Sequence, residues 1–318
     1  MTGTGPVAVA TEADDRTADM VITELNRRDV PVIRFNPADI GHSLTVSAQF
    51  GTCPAIPAGQ VRTPSRTAEL AGIRSLYWRR PTWPAFEHLA PQDARFAAAH
   101  ARHGLGGVLY ALPHCLFVNH PLRNRGAEHK PLQLATAQRL GLTVPPTLVS
   151  NDLTDIRAFI HAHGEVIHKT LRWTPYQQGD TGLTSWTEPV TADTVDESVA
   201  VVPHLFQARV DKIADVRVVV AGTRLFAVRI DSDLLDWRRD YGALTYSVID
   251  LPPQLEKALL AYLEHFGLAS GSFDLALDRT GGFHWLELNP NGQWGWLEDE
   301  TGLPLTVAFA DLLMRGRS

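Results

Sequence analysis

Two apolar strands joined by a glycine-rich turn constrain this chain more than any other segment. The strands and the turn are Phe273–Asp278, Phe283–Asn289 and the residues between them, Arg279-Thr280-Gly281-Gly282. A register symmetric about the turn predicts three opposed pairs: Asp278 with Phe283, Ala276 with Trp285, and Asp274 with Glu287. Because side chains alternate along a strand, Asn289 then shares a face with Glu287, while Leu286 and Leu288 point to the opposite, apolar side.

The opposed acidic pair requires a counter-charge. Directly opposed residues have Cβ atoms roughly 4.5–5.5 Å apart, and like charges at that distance are destabilising. Two carboxylates and the amide oxygen of Asn289 on one face therefore indicate a cation, and an all-oxygen set favours Mg²⁺ or Mn²⁺ over zinc. The alternative is a solvent-facing edge with scattered acidic residues, and a one-residue bulge would move Asp274 off the face.

Composition excludes several classes of protein. The chain has 318 residues, 44% of them hydrophobic, which is enough for two or three compact units. Its net charge is −6, and no block of Lys and Arg runs along it, so we expect no nucleic-acid partner and no membrane partner. The first residues lack the basic and apolar regions of a signal peptide, and only two cysteines are present. We therefore expect a cytoplasmic protein.

Predicted elements divide the chain into three parts. The strand Val7–Ala10, the helix Arg16–Arg28 and the strand Pro31–Phe35 indicate an α/β domain in the first third, without the Gly-x-Gly-x-x-Gly of an ordinary dinucleotide fold. A small α+β piece follows, with a hairpin whose tip is at Gln177–Gly182. The last third is a larger α+β domain, with a helix over Pro253–Phe266.

A Mg²⁺ site of this kind usually holds phosphates, so basic ligands are expected elsewhere. No Gly-x-x-x-x-Gly-Lys-Ser/Thr loop is present, which excludes the usual P-loop. Lys169 ends an apolar strand and needs an anion to point at, and Lys130 begins a helix, although a lone lysine is most often a solvated surface charge. Arg217 lies within a β-branched strand, where it could bind phosphate or carboxylate, or form an ion pair with Asp215 or Asp236.

Taken in order along the chain, these segments form a recognisable set. They are Asn119-His120-Pro121, Lys130, Pro146-Thr147-Leu148, Lys169, Phe206-Gln207, Lys212-x-x-Asp215-Val216-Arg217, Asp274, and Leu286-Glu287-Leu288-Asn289-Pro290-Asn291-Gly292-Gln293-Trp294. The set resembles the ATP-grasp ligases. With Tyr77-Trp78-Arg79-Arg80-Pro81 and Asp236-Trp237-Arg238, it is similar to the ATP-grasp maturases of ribosomal peptides, the microviridin-type or graspetide macrocyclases.

The resemblance implies a mixed α/β and α+β architecture, the ATP-grasp fold. A Rossmann-like N-terminal domain would occupy residues 1–118, a small central ATP-grasp subdomain residues 119–203, and a C-terminal ATP-binding subdomain residues 204–318. The central and C-terminal subdomains would close over ATP. The family also suggests a homodimer.

The resemblance also implies a role for each matching residue. Lys130 and Lys169 would hold the phosphates, and the backbone around Gln207, Ala208, Arg209 and Val210 would bind adenine. Two Mg²⁺ ions, with Mn²⁺ as an alternative, would be bound by Asp274, Glu287 and Asn289. Arg217 would steady the activated carboxylate, and Arg238 would act beside it. The substrate or leader-peptide side would include Arg80, Trp173, Tyr176 and Asp236, with a helix near Thr191–Val199 beside the hairpin.

The activity that follows is ATP-dependent condensation within a peptide. Asp or Glu side chains of a ribosomally made precursor would be activated as acyl phosphates and coupled to Thr, Ser or Lys side chains, giving macrocyclic ester or amide crosslinks with release of ADP. One alternative is an intermolecular ligase that adds glutamate or another amino acid. Another is a nucleotide-binding regulator that has the fold without turnover.

Overall fold

A computed structural model of the chain describes residues 5–51, 58–172, 176–178, 181–183 and 186–316; for 176–178 and 181–183 it describes the backbone alone. These residues form five β-sheets and eight α-helices. Within them, no helix is both long enough and apolar enough to cross a membrane.

The N-terminal part is an α/β unit. Its elements are β1 (Val7–Ala10), α1 (Arg16–Arg27), β2 (Val32–Phe35), β3 (Thr45–Gln49), β4 (Ala58–Arg62), β5 (Thr67–Glu69), β6 (Ser75–Trp78), α2 (Pro91–Tyr110) and β7 (Leu116–Val118). Four strands form a parallel sheet in the order β2-β1-β6-β7, and β3, β4 and β5 form a separate antiparallel sheet. Strand β1 is buried along its whole length, which explains its unbroken Val-Ala-Val-Ala sequence. The predicted alternation of strands and helices is confirmed.

The central part is an antiparallel sheet with one helix packed on it. Its elements are α3 (Pro121–Ala127), α4 (Lys130–Arg139), β8 (Thr147–Ser150), α5 (Leu153–His163), β9 (Val166–Lys169), β10 (Tyr176–Gln178), β11 (Thr181–Leu183), β12 (Glu188–Val190) and β13 (His204–Ala208). The sheet order is β12-β9-β13-β8. Strands β10 and β11 pair as a hairpin where one was predicted, but they include Gln177, Gln178, Thr181 and Gly182, which were predicted as its tip. Ile156 and Ile160 of α5 pack against Val166 and Phe206 of the sheet.

The C-terminal part is a five-stranded antiparallel sheet in the order β16-β15-β14-β17-β18. Its elements are β14 (Lys212–Ala221), β15 (Arg224–Asp231), β16 (Thr245–Ile249), α6 (Pro253–Phe266), β17 (Ser270–Asp278), β18 (Phe283–Asn289), α7 (Gly295–Thr301) and α8 (Leu305–Arg315). Helix α6 has the predicted bounds and ends at Gly267, whose left-handed φ of 63° closes the last turn.

The central strand of this sheet, β14, is buried on both faces. Val216 and Val218 pack on one face, in the same cluster as Leu259 and Tyr262 of α6. Val219 packs on the other, in a cluster that also contains β1, α1 and α8. The C-terminal sheet and the N-terminal unit therefore share one apolar core, which fixes them against each other.

Two sequence expectations about the central part differ from the structure. The helix predicted near Thr191–Val199 is wrong, because that range contains a turn closed by the Thr194 amide and the Thr191 carbonyl, and then the start of a 3₁₀ turn, Glu197–Val201, capped by Asp196. Its Thr and Val residues disfavour a longer helix. The division at residues 118 and 203 stays a prediction. Because β13 pairs with β8 and β9, we propose the second boundary after Ala208.

Candidate active site

A cleft lies between the central sheet and the C-terminal sheet, and both sheets contribute side chains to it. The charged residues along its walls are Lys130, Lys169, Arg209, Lys212, Asp215, Asp236, Arg238, Asp274 and Glu287. The cleft is therefore a place where cationic and anionic groups from separate elements face one another.

Asp274, Glu287 and Asn289 meet on the C-terminal side of the cleft. Asp274 on β17 lies opposite Glu287 on β18, as predicted. The Nδ2 atom of Asn289 donates to Asp274 Oδ2 over 2.9 Å and to Glu287 Oε1 over 3.3 Å. The three side chains that the sequence singled out as metal ligands thus converge on one point.

Next to the turn, the residues of β17 and β18 that lie opposite each other differ from those of the predicted symmetric register. The structure pairs Leu277 with Phe283 and Ala276 with His284, so the predicted pairs Asp278–Phe283 and Ala276–Trp285 are wrong. A bulge at Leu286 then shifts the register by one residue and restores Asp274 opposite Glu287. Leu286 lines the cleft, and its predicted place on the apolar face is wrong for the same reason.

The turn itself explains the offset. The Asp278 amide donates to Gly282 O over 2.9 Å, so the loop between them has three residues instead of four. The Asp278 carboxylate accepts the amides of Thr280 and Gly282, each over 2.8 Å, and Gly281 has a left-handed φ of 84°. A three-residue loop with glycine in that conformation is a common hairpin connection, and it displaces the ladder by one position.

Cationic side chains surround the Glu287 carboxylate. Lys130 Nζ lies 2.9 Å from Glu287 Oε2, and Arg238 Nη1 lies 4.0 Å from Oε1. Burial alone would raise the pKa of Glu287, but Lys130 and Arg238 hold it below its usual range. Burial and the neighbouring Glu287 raise the pKa of Asp274, against the effect of Arg217. Glu287 is therefore the more firmly ionised of the two acids.

Lys169 faces the cleft from the central sheet. Its Nζ donates to Gln207 Oε1 over 2.8 Å, and Gln207 in turn donates to Thr147 Oγ1 over 2.9 Å. Burial lowers the pKa of Lys169 to about 8, and Lys130, Arg238 and Lys212 act in the same direction while Glu287 opposes them. A desolvated ammonium surrounded by cations is a site that an anion would stabilise.

Arg217 pairs with neither of the acids considered from the sequence. It lies opposite Asp274 in the ladder of β14 and β17, and its Nη1 donates to both Asp274 oxygens, over 2.7 and 2.8 Å. Its side chain is 7% exposed. The ion pairs with Asp215 or Asp236 are therefore not formed, and Arg217 supports Asp274 from within the sheet.

Arg238 is more open to the cleft than Arg217. It lies between β15 and β16 and is fixed by Asp236, which accepts from Nε and Nη2 over 2.8 Å each. Asp236 is buried and also accepts the Thr187 amide over 3.4 Å. Asp236, predicted on the substrate side, thus lines the cleft as the partner that orients Arg238.

The segment from Gln207 to Val210 lines the cleft where the central sheet leads into the C-terminal sheet. The amide of Ala208 donates to Pro146 O over 2.9 Å, and the amide of Arg209 donates to Glu165 O over 2.8 Å. Those two amides are committed within the protein, so an adenine ring would have to use other groups of this segment.

Sequence reasoning missed part of the cleft. Lys212 Nζ donates to Asp215 Oδ2 over 2.5 Å, and both residues line the cleft. Burial raises the pKa of Asp215 to about 6, against the effect of Lys212. Their spacing, Lys-x-x-Asp, was part of the resemblance and was the available signal. An apolar group completes the lining: Ile167, Leu235, Trp237 and Leu286.

The remaining predicted residues do not meet in the cleft as described. Arg80 is exposed and does not line the cleft, and its neighbour Arg79 is the buried one. The reason is that β6 ends at Trp78, after which the chain turns outward at Arg80-Pro81. Trp173 lies outside the described residues, as does the side chain of Tyr176, whose backbone belongs to β10.

No family model matches the chain, and no curated protein matches it either. Solved structures do match. A RiPP-associated ATP-grasp ligase from Chryseobacterium gregarium, in complex with ADP and a leader and core peptide, is 23% identical and has a TM-score of 0.88, with 99% of each chain covered. Macrocyclase MdnB from Microcystis aeruginosa is 25% identical with a TM-score of 0.80, covering 97% of this chain and 99% of its own.

A third solved structure, the ATP-grasp ligase PsnB with a minimal precursor, Mg and ADP, is 21% identical with a TM-score of 0.80, covering 99% of this chain and 97% of its own. These matches show that the chain has the fold of the ATP-grasp ligases over nearly its whole length. The resemblance and the fold class predicted from the sequence are confirmed.

The cleft fits a magnesium nucleotide by its own chemistry. Asp274 and Glu287 offer carboxylate oxygens at one point, and rotation of the Asn289 amide by 180° would add a third oxygen there, the donor set of a hard cation. Lys169 on the central sheet and Lys130 beside Glu287 are placed to meet phosphates. The apolar group Ile167, Leu235, Trp237 and Leu286 suits a flat heteroaromatic ring.

Proposed function

We propose that the chain is an ATP-dependent ligase that crosslinks side chains of a ribosomally made precursor peptide. The observation that carries this proposal is the cleft in which Lys169 of the central sheet faces Asp274, Glu287 and Asn289 of the C-terminal sheet, with Lys130 of α4 beside Glu287. The arrangement supplies a phosphate side, a hard-cation side and an apolar wall. That combination supports nucleotide-driven activation of a carboxylate.

The proposed chemistry explains why ATP is needed. A carboxylate cannot acylate an alcohol or amine at neutral pH, because oxide would have to leave. In the proposed reaction a carboxylate oxygen of a peptide Asp or Glu takes the γ-phosphoryl group, ADP leaves, and an acyl phosphate results. A Thr or Ser hydroxyl or a Lys amine of the same peptide then attacks the carbonyl carbon, phosphate leaves, and an ester or amide is formed with loss of one proton.

Roles follow from position in the cleft. Lys130 and Lys169 would neutralise phosphate oxygens. Asp274, Glu287 and Asn289 would hold Mg²⁺, which would supply positive charge to stabilise the phosphates. Arg238 faces the cleft and would meet the peptide carboxylate or acyl phosphate. Arg217 is nearly buried under Asp274, so its proposed role changes from contacting the activated carboxylate to holding Asp274 in place.

The proposed partner is a precursor peptide with a leader. Two of the similar ligases were solved with leader and core peptides or with a minimal precursor, which supports this assignment. In this chain the hairpin β10–β11 is followed by Trp186 and Thr187, which line the cleft. A peptide held on that hairpin would reach the cleft along this segment. Trp173 and Tyr176 stay predicted contacts of that peptide.

Intact-mass spectrometry of the peptide tests the proposal. The purified protein would be incubated with Mg–ATP and a precursor rich in Thr and in Asp or Glu, encoded beside it. The proposal expects an ATP-dependent decrease in the mass of the peptide by one water for each crosslink formed. Addition of an amino-acid mass would favour the intermolecular ligase, and nucleotide binding without ADP release would favour the regulator. Either outcome contradicts intramolecular crosslinking.

A homodimer and a cytoplasmic location stay predictions from the resemblance and from the sequence. Light scattering coupled to size-exclusion chromatography measures the first directly, with the mass of two 35.0 kDa chains as the expected value.

A further inference from the structure

Arg79 is a buried arginine outside the cleft, and the proposed reaction does not use it. It follows β6, and its side chain is 2% exposed. The guanidinium lies against Asp15, which is 0% exposed, with Nε 3.3 Å from Oδ2 and Nη2 3.4 Å from Oδ1. Asp15 is itself held by Thr11 Oγ1 over 2.7 Å and caps α1. The charge of Arg79 is therefore balanced and fixed within the N-terminal unit.

The other side of the Arg79 guanidinium donates hydrogen bonds to a loop of the C-terminal part. Nη1 donates to Gly292 O over 3.0 Å, with Asn291 O at 3.4 Å, and Nη2 donates to Gln293 Oε1 over 2.7 Å. Thr17 of α1 donates to the same Gln293 oxygen over 2.7 Å. This loop, residues 290–293, directly follows the proposed metal ligand Asn289.

The same loop supports Arg217. The Gln293 carbonyl accepts from Arg217 Nη2 over 3.2 Å, and the other end of that guanidinium holds Asp274. The contact is close, because a Cβ placed on Gly292 would lie 2.8 Å from Arg217 Nη2. Hydrogen bonds therefore lead from Asp15 through Arg79 to the Gln293 side chain, and from the Gln293 backbone carbonyl through Arg217 to Asp274.

The geometry points to Arg79 as a positioning residue for the cleft. By fixing the loop 290–293 it sets where Arg217 holds Asp274, and it does so from the N-terminal unit. This inference rests on the proposed function, since it assigns a role in that reaction. A planar fork with donors on two sides is needed to reach Asp15 and the loop together, and the single ammonium of lysine cannot do both. Misplacement of a reacting group by about 1 Å can lower a rate ~100-fold.

The first test compares Arg79→Lys with Arg28→Lys. Arg28 is a matched control, because it also joins two elements, through Glu24 on α1 and Asp311 on α8, but lies away from the cleft. With Mg–ATP and the precursor peptide, Arg79→Lys should lower kcat for ADP release about 10–100-fold and leave KM for ATP within about twofold. Arg28→Lys should change kcat less than about twofold. Equal kcat in the two variants overturns the inference.

A double-mutant cycle with Gln293→Leu tests the connection itself. If Arg79 acts through Gln293, the double variant should be no slower than the slower single variant. Multiplicative losses in kcat, as for independent sites, would refute the route through Gln293. A loss of folding alone would lower the soluble yield and the active fraction, and with it the apparent kcat, without this non-additivity.

Hydrogen exchange of the segment 289–294, followed by mass spectrometry, needs no turnover. Arg79→Lys should raise exchange of this segment, and Arg28→Lys should leave it at the wild-type level. Unchanged exchange in Arg79→Lys rejects the inference whatever the activity. If the wild-type protein releases no ADP and removes no water from the peptide, the proposed function fails, while the exchange result still decides whether Arg79 holds the loop.

Discussion

Lys130, the first residue of α4, pairs with Glu287 on β18 over 2.9 Å, and both residues line the cleft. Glu287 lies opposite Asp274, which Arg217 pairs with from β14. Each acid of the proposed metal site thus has its own cation, and the two cations come from different parts of the chain. If both acids were protonated, neither Lys130 nor Arg217 would be needed to balance their charge.

Glu287→Gln should abolish turnover while the protein remains folded. The amide nearly conserves shape but removes one charged oxygen ligand, and it leaves Lys130 without its anion. We expect ADP release to fall at least about 100-fold. Glu264→Gln, on the exposed surface of α6, serves as the control. Turnover near the wild-type rate in Glu287→Gln would contradict the Mg²⁺ assignment.

Affinity for the nucleotide should fall as pH rises through about 8. The pKa of Lys169 is lowered to about 8 by burial, so its charge is present at pH 7 and lost at pH 9. Calorimetric titration with Mg and a non-hydrolysable ATP analogue should give a Kd about tenfold weaker at pH 9 than at pH 7. Lys169→Gln should bind weakly at both values. A wild-type Kd that is independent of pH would reject phosphate binding by Lys169.

The same group affects stability with the opposite sign. The folded chain releases the Lys169 proton at about pH 8, whereas an unfolded lysine holds it to 10.5. Between these values the unfolded state binds more protons, so this group's contribution to the free energy of unfolding rises with pH. Denaturant titrations of the nucleotide-free protein at pH 7.5 and 9.5 should give a larger increase for the wild type than for Lys169→Gln.

Asp236→Asn should impair peptide crosslinking and spare nucleotide binding. Asp236 accepts two hydrogen bonds from Arg238, and an amide can accept with only one oxygen, so Arg238 would lose its fixed orientation. Water loss from the peptide should slow about 10–100-fold, with the Kd for Mg–ATP within about threefold. Asp231→Asn is the matched control, because Asp231 forms the same kind of pair with Arg229 outside the cleft. Equal rates of water loss for both variants would show that Arg238 takes no part in the reaction.

Gly292→Ala should lower turnover, whereas Gly104→Ala should stabilise the fold. A Cβ on Gly292 would lie 2.6 Å from Ser272 Oγ and 2.8 Å from Arg217 Nη2, so Arg217 must move. Gly104 lies inside α2 with no atom within 4 Å of an added Cβ, and alanine there should add about 0.5–1 kcal/mol to the free energy of unfolding. Chemical denaturation and ADP release measure both effects. Normal turnover in Gly292→Ala would show that Arg217 has room to shift.

Much of the fold follows from local sequence rules. Val7–Ala10 is an uninterrupted apolar run, as a strand covered on both faces requires, and its bounds were predicted without error. Pro253 and Gly267 mark the start and stop of α6 by their own backbone preferences. The helix expected near Thr191–Val199 had no such signals at its ends, and the structure has a strand and a 3₁₀ turn around it instead.

Site residues on neighbouring strands were predictable, and those that depend on tertiary contacts were not. Asp274 and Glu287 are brought together by one hairpin, so strand alternation was enough to place them. The partner of Arg217 is Asp274, 57 residues away, and only the order of strands in the sheet decides that. In the same way, nothing local distinguishes Arg79 from Arg80, although one is buried and the other exposed.

Because of the bulge at Leu286, the position of Glu287 in the cleft depends on the length of the loop between β17 and β18. With the present three-residue loop and no bulge, Glu287 would lie opposite Phe273 and point into the core beside it. The pairing of Glu287 with Asp274 therefore depends on the three-residue loop and the bulge together, since either one alone would put the acid on the other face of the strand.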